Sequence, residues 1–327
     1  MGKAMAPKIS LCIPVRNGGE YLPLAVESVL SQLFDDMELI IVDNCSTDGT
    51  AEWLATKAAQ VDKIRFYRNA VDIGMTRNFN ACLSYATGEY IQCLCADDLL
   101  SPGSLKRMAD ALDRDPAAAL VVGARRLIDE KGAAIGMQRY ASENLDIPGE
   151  QAINRCLFGK NYIGEPSAVM FRRSAATRGF DASFSLLMDL EMWFHLLEQG
   201  RLISLPDEVC AIRRHAAQMT HENTRSGVLL DDNVRLFEQY GRKSYIGASG
   251  AKWLSRKARI AYRVWMCKDG ISAEKRDRVL AQYSSKLLYH TAIPVFAAIL
   301  SSWRRLRLLL RAPDRHGALT KTSTPRA

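Results

Sequence analysis

The chain has 327 residues, of which 48% are hydrophobic and 24% are charged, and its formal net charge is +8. This composition is typical of a folded protein with a substantial core, and it excludes a wholly disordered or fibrous chain. The charge is uneven, because residues 252–311 hold 14 Lys and Arg against 3 Asp and Glu, whereas the first 251 residues carry a net charge of −5. The basic segment indicates an anionic partner, and nucleic acid and the inner leaflet of a membrane both qualify.

The eight cysteines form no C-x-x-C pair, and several of them lie inside apolar runs. Structural zinc sites use closely spaced Cys and His ligands, so this spacing argues against such a site. Reduced and buried thiols are typical of a cytosolic protein. Residues 1–8 lack the apolar core of a secretory signal, and we therefore expect a cytoplasmic protein.

Strand-like and helix-like segments alternate in the first half of the chain. Short apolar runs predict strands at residues 9–15, 38–42, 64–67, 90–95 and 119–123. Helical spacing predicts helices at residues 21–32, 51–59, 75–86 and 105–112, the last one started by Ser101 and Pro102. This alternation indicates an α/β fold with a mostly parallel sheet covered by helices.

The second half of the sequence is less regular. It predicts a strand at residues 167–172, a helix at 187–199 and a strand at 209–213, followed by basic helical sequence. We place a boundary near residue 225, which gives a catalytic domain at 1–225 and a basic helical segment at 226–327.

Polar residues follow each of the first four predicted strands. Asn17 follows the first strand, Asp43 the second, residues 72–74 the third, and Asp97 with Asp98 the fourth. A single aspartate at such a place often only caps a turn or helix, but the carboxyl ends of parallel strands are where ligands bind. The four together indicate a binding site at one edge of the sheet.

Asp97 and Asp98 are the most specific part of this pattern. Adjacent carboxylates repel each other, and either solvent or a divalent cation must neutralise them. Mg²⁺ and Mn²⁺ both favour oxygen ligands and often bridge carboxylates to phosphates. The sequence therefore predicts a Mn²⁺ or Mg²⁺ site here, with a solvated turn before the next helix as the alternative.

Several stretches resemble the family 2 glycosyltransferases, whose nucleotide-binding half has the GT-A fold. They are PVRNGGEYLPLAVESVLSQ, ELIIVDNCSTDGT, GMTRNFNACLSYATGEYI and ADDLLSP, followed more loosely by GEPSAVMFRR, MDLEMWFHLLEQG and IRRHAAQMT. The resemblance covers about the first 220 residues. It implies an inverting, metal-dependent transfer from a nucleotide sugar, with a UDP-sugar favoured. The implied acceptor is a saccharide or lipid-linked saccharide in bacterial surface or exopolysaccharide assembly.

The resemblance also implies roles for individual residues. On the donor side they are Pro14, Val15 and Asn17 beside the nucleobase, Asp43 on the base, Asp97 near the ribose, and Glu165 near the donor sugar. Asp98 and His215 are the implied metal ligands, and Asp189 is the implied general base, with Glu191 as the alternative. Arg77 and Arg213 are candidates for contacting the donor. The chain departs from the family at Asn44 and Cys45, where aspartate and glycine are usual, and at Cys95, where many members carry a third aspartate.

The basic end of the chain leaves two alternatives open. Residues 287–303 are fairly apolar but short for a membrane span, and His290 and Pro294 interrupt them. Arginines and leucines alternate after Trp303, which suits a helix lying on anionic lipid at the inner face of the plasma membrane. The other possibility is a helix packed on the catalytic domain.

Two other functions compete with glycosyl transfer. A nucleotidyltransferase would also bind a nucleotide and a metal, but residues 16–19 lack its lysine and are too short for its phosphate loop. A non-catalytic nucleotide- or polyanion-binding protein would use the basic tail. The leucine content of the tail and the acidic body argue against nucleic acid as the partner.

Overall fold

The computed structural model describes residues 7–32, 35–215 and 227–295. The strands of this part of the chain are β1 Ile9–Val15, β2 Met37–Asp43, β3 Ile64–Arg68, β4 Tyr90–Cys93, β5 Leu99–Leu100, β6 Ala118–Ile128, β7 Ala134–Gln138, β8 Leu145–Pro148, β9 Val169–Arg172 and β10 Arg201–Arg213. The helices of the first 215 residues are α1 Tyr21–Leu30, α2 Thr50–Gln60, α3 Met75–Tyr85, α4 Ser104–Arg114, α5 Gly149–Phe158 and α6 Met188–Leu197. Four more helices follow: α7 Val228–Tyr240, α8 Gly250–Met266, α9 Ala273–Tyr283 and α10 Lys286–His290.

The described strands form one sheet in the order β3-β2-β1-β4-β9-β6-β10-β5, with β7 beside β6 and β8 beside β10. The pairs β1–β2, β1–β4, β2–β3 and β6–β10 are parallel, whereas β9 runs antiparallel between β4 and β6. The expected α/β architecture with a mostly parallel sheet is confirmed. Every residue of β1 and β2 is buried, because helices cover both faces of the sheet there.

Some sequence-based expectations were wrong in detail. Ser101 does not cap α4: its hydroxyl donates to Glu208 at 2.7 Å, and Gly103 occupies the N-cap position. Helix α5 and the short strands β5, β7 and β8 were not predicted. Strand β7 is largely exposed and therefore lacks the alternation of apolar residues that marks a half-buried strand.

The helices after residue 227 pack on one another and on the sheet domain. Leu230, Ile260, Val264 and Leu280 belong to a second apolar cluster, separate from the main core. Helix α8 contacts the sheet domain through Trp253, whose ring centroid lies 5.2 Å from that of Phe158. Residues 227–295 are therefore packed against one another and against the sheet domain. Residues 296–327, which include the arginine-leucine sequence after Trp303, lie outside the described residues, so the membrane and packing alternatives both stay predictions. The boundary near residue 225 stays a prediction. Within the described chain, no helix has both the length and the apolarity needed to cross a bilayer.

Candidate active site

Two loops at the carboxyl edge of the sheet are fastened together. After Pro14 and Val15 at the end of β1, the backbone N–H of Asn17 donates to the hydroxyl of Ser46 at 2.7 Å. The side-chain oxygen of Asn17 accepts the backbone N–H of Thr47 at 2.9 Å. Asn17 has φ of 52°, a left-handed conformation that asparagine tolerates better than most residues. These bonds build a firm edge where the nucleobase contacts are predicted.

Asp43 lies beneath these loops and is fully buried. Its carboxylate accepts both the backbone N–H and the hydroxyl of Ser46, and Arg68 Nε lies 3.2 Å away. The neighbouring Asn44 amide donates to Asp72 at 2.6 Å, which ties the end of β2 to the loop after β3. The first three strand ends therefore converge as predicted, and the contact of Asp43 with a base stays a prediction.

Asp97 and Asp98 have different surroundings. Asp98 is 2% exposed, and it accepts the hydroxyl of Ser167 at 2.6 Å and the backbone N–H of Arg213 at 2.9 Å. Burial and the charge of Asp97 raise the pKa of the Asp98 carboxyl well above its usual range. Asp97 is more open, and its Oδ2 lies 3.1 Å from Nε2 of His215. The end of β10 is thus bonded to the acidic pair, which brings His215 to Asp97.

The side chains around this pair suit a divalent cation. Cys95 Sγ and carboxylate oxygens of Asp97 and Asp98 all lie within 4.8 Å of one another. His215 adds an imidazole nitrogen on the Asp97 side. Oxygen ligands are those that Mg²⁺ and Mn²⁺ prefer, and imidazole suits the transition metals. The residues present therefore fit the predicted ion.

Glu165 links this acidic pair to the rest of the site. Its carboxylate lies 2.7 Å from Arg125 Nε and accepts from Arg214 at 2.6 Å. These two cations hold the pKa of Glu165 below its usual value despite the cost of burial. The negative charge of Glu165 contributes to raising the pKa of both Asp98 and Asp189. Glu165 is therefore close to the predicted metal site and to the predicted base at once.

Asp189 stands in the first turn of α6 with a perturbed carboxyl. Burial, and to a smaller extent the charge of Glu165, raises the pKa of Asp189 to about 7. The amide of Asn161 lies 3.5 Å from Asp189 Oδ2, at the limit of a hydrogen bond. A carboxyl that titrates near neutrality is able to accept a proton from a substrate hydroxyl and release it again.

The alternative base, Glu191, is engaged elsewhere. It is fully buried, it pairs with Arg178, and it accepts the hydroxyl of Tyr240 at 2.8 Å and the amide of Gln239 at 3.0 Å. These partners come from outside the sheet edge, so Glu191 has a structural role in joining α6 to α7.

Arg213 and Arg77, the two arginines predicted to contact the donor, lie in different settings. Arg213 is buried, donates from Nε to the carbonyl of Asp97 at 3.0 Å, and stacks over Tyr21 with 4.5 Å from its guanidinium carbon to the ring centroid. It thereby positions the backbone of Asp97. Arg77 is exposed on the first turn of α3. The donor contacts of both residues stay predictions.

Three residues of the site were missed in the sequence: Arg125, Asn161 and Ser167. The sequence did contain a sign of Arg125, because it continues the apolar run of β6. An arginine at such a position is buried only when it is paired with an anionic group. The sequence contained no sign of Ser167 or Asn161, since small polar residues are common in loops. Their roles depend on neighbours that are distant in the sequence.

Comparison with known proteins identifies the class to which this fold and site belong. Residues 10–180 match Glycosyl transferase family 2. The chain belongs to this family and is a glycosyltransferase, which sets aside the nucleotidyltransferase and the non-catalytic binding protein as alternatives.

Three of the matched relatives are the following bacterial proteins. The chain is 33% identical over 223 residues to the uncharacterized protein MT1568 of Mycobacterium tuberculosis, covering 64% of this chain and 68% of the relative. It is 34% identical over 202 residues to the putative glycosyltransferase EpsE of Bacillus subtilis, covering 59% and 68%. It is 40% identical over 108 residues to the abequosyltransferase RfbV of Salmonella typhimurium, covering 32% of each chain.

Solved structures show the same fold. S. aureus TarS 1-349 in complex with UDP-GlcNAc superposes with a TM-score of 0.60 at 14% identity, covering 89% of this chain and 92% of TarS 1-349. The mannosyltransferase PcManGT of Pyrobaculum calidifontis, in complex with GDP-Man and Mn²⁺, superposes with a TM-score of 0.58 at 17% identity. The match covers 93% of this chain and 81% of PcManGT. The expected GT-A-like fold with C-terminal helices is confirmed.

Proposed function

We propose that the chain transfers a sugar from a nucleoside-diphosphate sugar to an acceptor hydroxyl with inversion, and that a UDP-sugar is the favoured donor. Structures of the same fold hold UDP-GlcNAc or GDP-Man, which supports a nucleotide-sugar donor. The joined loops at Asn17 and Asp43 offer the nucleobase edge, and Asp97 lies beyond them at the next strand end.

The observation that carries this proposal is the pKa of Asp189, which burial raises to about 7 in a site shared with Glu165 and the acidic pair. A carboxylate of ordinary acidity is a weak base for a hydroxyl, whereas one that titrates near the working pH contributes about 10²–10⁴ in rate. Asp189 stands at the start of α6, where the helix dipole stabilises the ionised carboxylate, which is the form that accepts a proton.

A divalent cation would be held by Asp97 and His215, with Asp98 behind them. Both oxygens of Asp98 accept bonds from the protein, so that Asp98 holds Ser167 and the end of β10 in place. This division differs from the sequence-based one, which gave Asp98 to the metal and Asp97 to the ribose. When bound, Mn²⁺ or Mg²⁺ would neutralise charge that develops on the leaving diphosphate.

The chain's own residues perform one displacement. Asp189 accepts the proton of the acceptor hydroxyl. At the same time the hydroxyl oxygen forms a bond to the anomeric carbon of the donor, from the face opposite the diphosphate. The bond from that carbon to the phosphate oxygen breaks, and the nucleoside diphosphate leaves with the electron pair. Burial, together with the smaller effect of Glu165, which Arg125 and Arg214 hold in place, keeps the pKa of Asp189 high enough for this transfer.

The acceptor is a saccharide or a lipid-linked saccharide in polysaccharide assembly at the bacterial envelope. The names of two relatives, an abequosyltransferase and a chondroitin synthase of Escherichia coli, support a part in saccharide synthesis. A cytoplasmic enzyme lying on the inner face of the plasma membrane would meet a lipid-linked acceptor there.

A donor-hydrolysis assay tests this function without knowledge of the acceptor. The full chain is incubated with UDP-, GDP- and dTDP-sugars and Mn²⁺, and release of each nucleoside diphosphate is measured against the Asp189→Asn variant. Release from one donor class, reduced at least about tenfold in the variant, is expected. Equal release by both proteins would contradict the assignment of the base.

A further inference from the structure

Helix α8 carries three arginines on one face. Arg256, Arg259 and Arg263 are spaced by three and four residues, so they lie next to one another along the helix. Arg256 is 6% exposed, and the other two are half-buried. We call these three residues the arginine row. It packs against α7 and the end of α5 and includes none of the residues assigned to sugar transfer.

The row has no counter-charge in the part of the chain that the structure describes. Arg256 donates to the carbonyl of Asn233 at 3.0 Å, and Arg259 donates to the carbonyls of Phe158 and Gly159. None of the ion pairs among the described residues includes a member of the row. The nearby Asp231 on α7 is paired with Lys275 at 2.8 Å.

The cations of the row therefore repel one another in a poorly solvated setting. Burial, followed by the charges of Arg263 and Arg259, lowers the pKa of Arg256 to about 10. Burial and the charge of Arg259 lower the pKa of Arg263. The Nε of Arg256 is buried without a hydrogen-bond partner. Buried charges are normally paired, so the buried Arg256 beside two half-buried arginines, with no anion among the described residues, favours binding of an anion from outside the protein.

A cavity next to the row has the shape and chemistry for such an anion. Its volume is about 350 Å³, and Arg259 and Arg263 line it together with Leu229, Leu230 and Met266. Met266 is 37% exposed, which places the mouth of the cavity at the surface. Cationic groups stand beside an apolar lining, so the cavity suits a ligand that has an anionic head and an apolar chain.

We propose that the arginine row and this cavity bind a phosphate group carried on a hydrocarbon chain. Guanidinium groups bind phosphate oxygens through paired N–H bonds, and the leucines and Met266 would cover the first carbons of the chain. A bilayer phospholipid and a prenyl-phosphate-linked saccharide share this chemistry. The site uses none of the residues assigned to the transfer reaction, so the two proposals can be tested with different variants.

The test measures the melting temperature of the full chain with short-chain phosphatidate and with phosphatidylcholine of equal chain length. Phosphatidate at about a hundredfold excess over its Kd should raise Tm by at least about 3 °C, and phosphatidylcholine should not. In Arg263→Met the phosphatidate shift should disappear. Lys257→Met is the matched control, because Lys257 is an exposed cation on the same helix, and this variant should keep the shift.

The ligand-free variants provide a second readout. Arg263→Met removes an uncompensated charge, so its Tm without lipid should equal or exceed that of the wild type, whereas a purely structural arginine would lower it. If Arg263→Met fails to fold, Arg263→Gln takes its place in the lipid measurement. No phosphatidate shift, or one that survives in the folded Arg263 variant, would overturn the proposal.

Farnesyl phosphate distinguishes the two sources. A shift at lower concentrations of farnesyl phosphate than of phosphatidate would identify a prenyl-linked ligand, and the reverse order a bilayer lipid. Both orders support the shared chemistry. Asp97→Ala, which should abolish sugar transfer, should keep the lipid shift, so failure of one proposal is separable from failure of the other.

Discussion

His215 Nε2 lies 3.1 Å from Asp97 Oδ2, although the two residues are 118 positions apart in the sequence. The contact exists because Asp98, next to Asp97, accepts the backbone N–H of Arg213 at 2.9 Å. The buried carboxylate of Asp98 thus fixes the backbone at the end of β10. As a result, the imidazole of His215, two residues after Arg213, lies against the more exposed carboxylate of Asp97. We therefore expect Asp98 to hold the end of β10 in place and Asp97 to contact the metal ion.

Replacing the two aspartates separately tests this expectation. Asp97→Ala should weaken Mn²⁺ binding by more than the roughly 10- to 100-fold that loss of an outer-shell partner costs. Asp98→Asn should lower the free energy of unfolding by about 1–3 kcal/mol, because at least one buried hydrogen bond is lost, and should affect Mn²⁺ less. Titration of free Mn²⁺ by electron paramagnetic resonance, with a thermal melt, measures both effects. A larger loss of Mn²⁺ affinity in Asp98→Asn would restore the sequence-based assignment.

Asp189→Asn should lower kcat by about 10²–10⁴ while leaving nucleotide affinity within a few-fold, because the amide cannot accept the proton. Glu191→Gln is the matched control on the same helix. It should destabilise the protein by weakening the pairing with Arg178 but retain most of kcat in the folded fraction. Steady-state kinetics at equal concentrations of folded protein distinguish Asp189 from Glu191 as the base. A large loss of kcat in Glu191→Gln, with most of kcat kept in Asp189→Asn, would make Glu191 the base.

The pH profile should report the carboxyl of Asp189. Its pKa is raised to about 7, and only the ionised form accepts a proton, so kcat/KM should fall about tenfold per pH unit below 7 and level off above it. Glu165→Gln removes a negative charge that helps to raise this pKa, so the acidic limb should move to lower pH. The exposed Glu143→Gln should leave the limb in place. An unmoved or upward-shifted limb in Glu165→Gln would show that Glu165 does not tune the base.

Gly164 should be intolerant of a side chain. It has φ of +106°, and a Cβ there would lie 2.4 Å from the guanidinium carbon of Arg125, the partner of Glu165. Gly164→Ala should therefore lower both stability and kcat. Gly132 is the control, because it has φ of +86° but open space around an added Cβ. Gly132→Ala should therefore lower the free energy of unfolding only by the backbone strain, about 1 kcal/mol or more. Denaturant unfolding of the two variants separates the clash with Arg125 from the backbone strain. Equal losses of unfolding free energy in Gly164→Ala and Gly132→Ala would contradict the clash.

The first half of the fold was predictable because β1 and β2 are buried throughout and their apolar runs are uninterrupted. The same reasoning placed Asp43, Asp97 and Asp98 at one edge, since parallel strands carry their ends together. The antiparallel insertion of β9 between β4 and β6 was not predictable, because a strand's direction depends on its connections and leaves no trace in hydrophobicity.

The finer geometry of the site depended on long-range partners. The pairing of Glu165 with Arg125 and Arg214 joins three separate segments, and no local pattern marks it. Cys95 was noted as a departure from the family, but only the structure shows its sulfur within 4.8 Å of ligand atoms of both aspartates.

The proposed metal site is tested most directly by calorimetry of nucleoside diphosphate binding with and without Mn²⁺, using the nucleotide that best stabilises the wild-type protein. The wild type and Asp189→Asn should both bind it more tightly, by at least about tenfold, when Mn²⁺ is present. Asp97→Ala should show no Mn²⁺ effect, because Asp97 and His215 would hold the ion that neutralises the charge of the diphosphate. An undiminished Mn²⁺ effect in Asp97→Ala would contradict the proposed site.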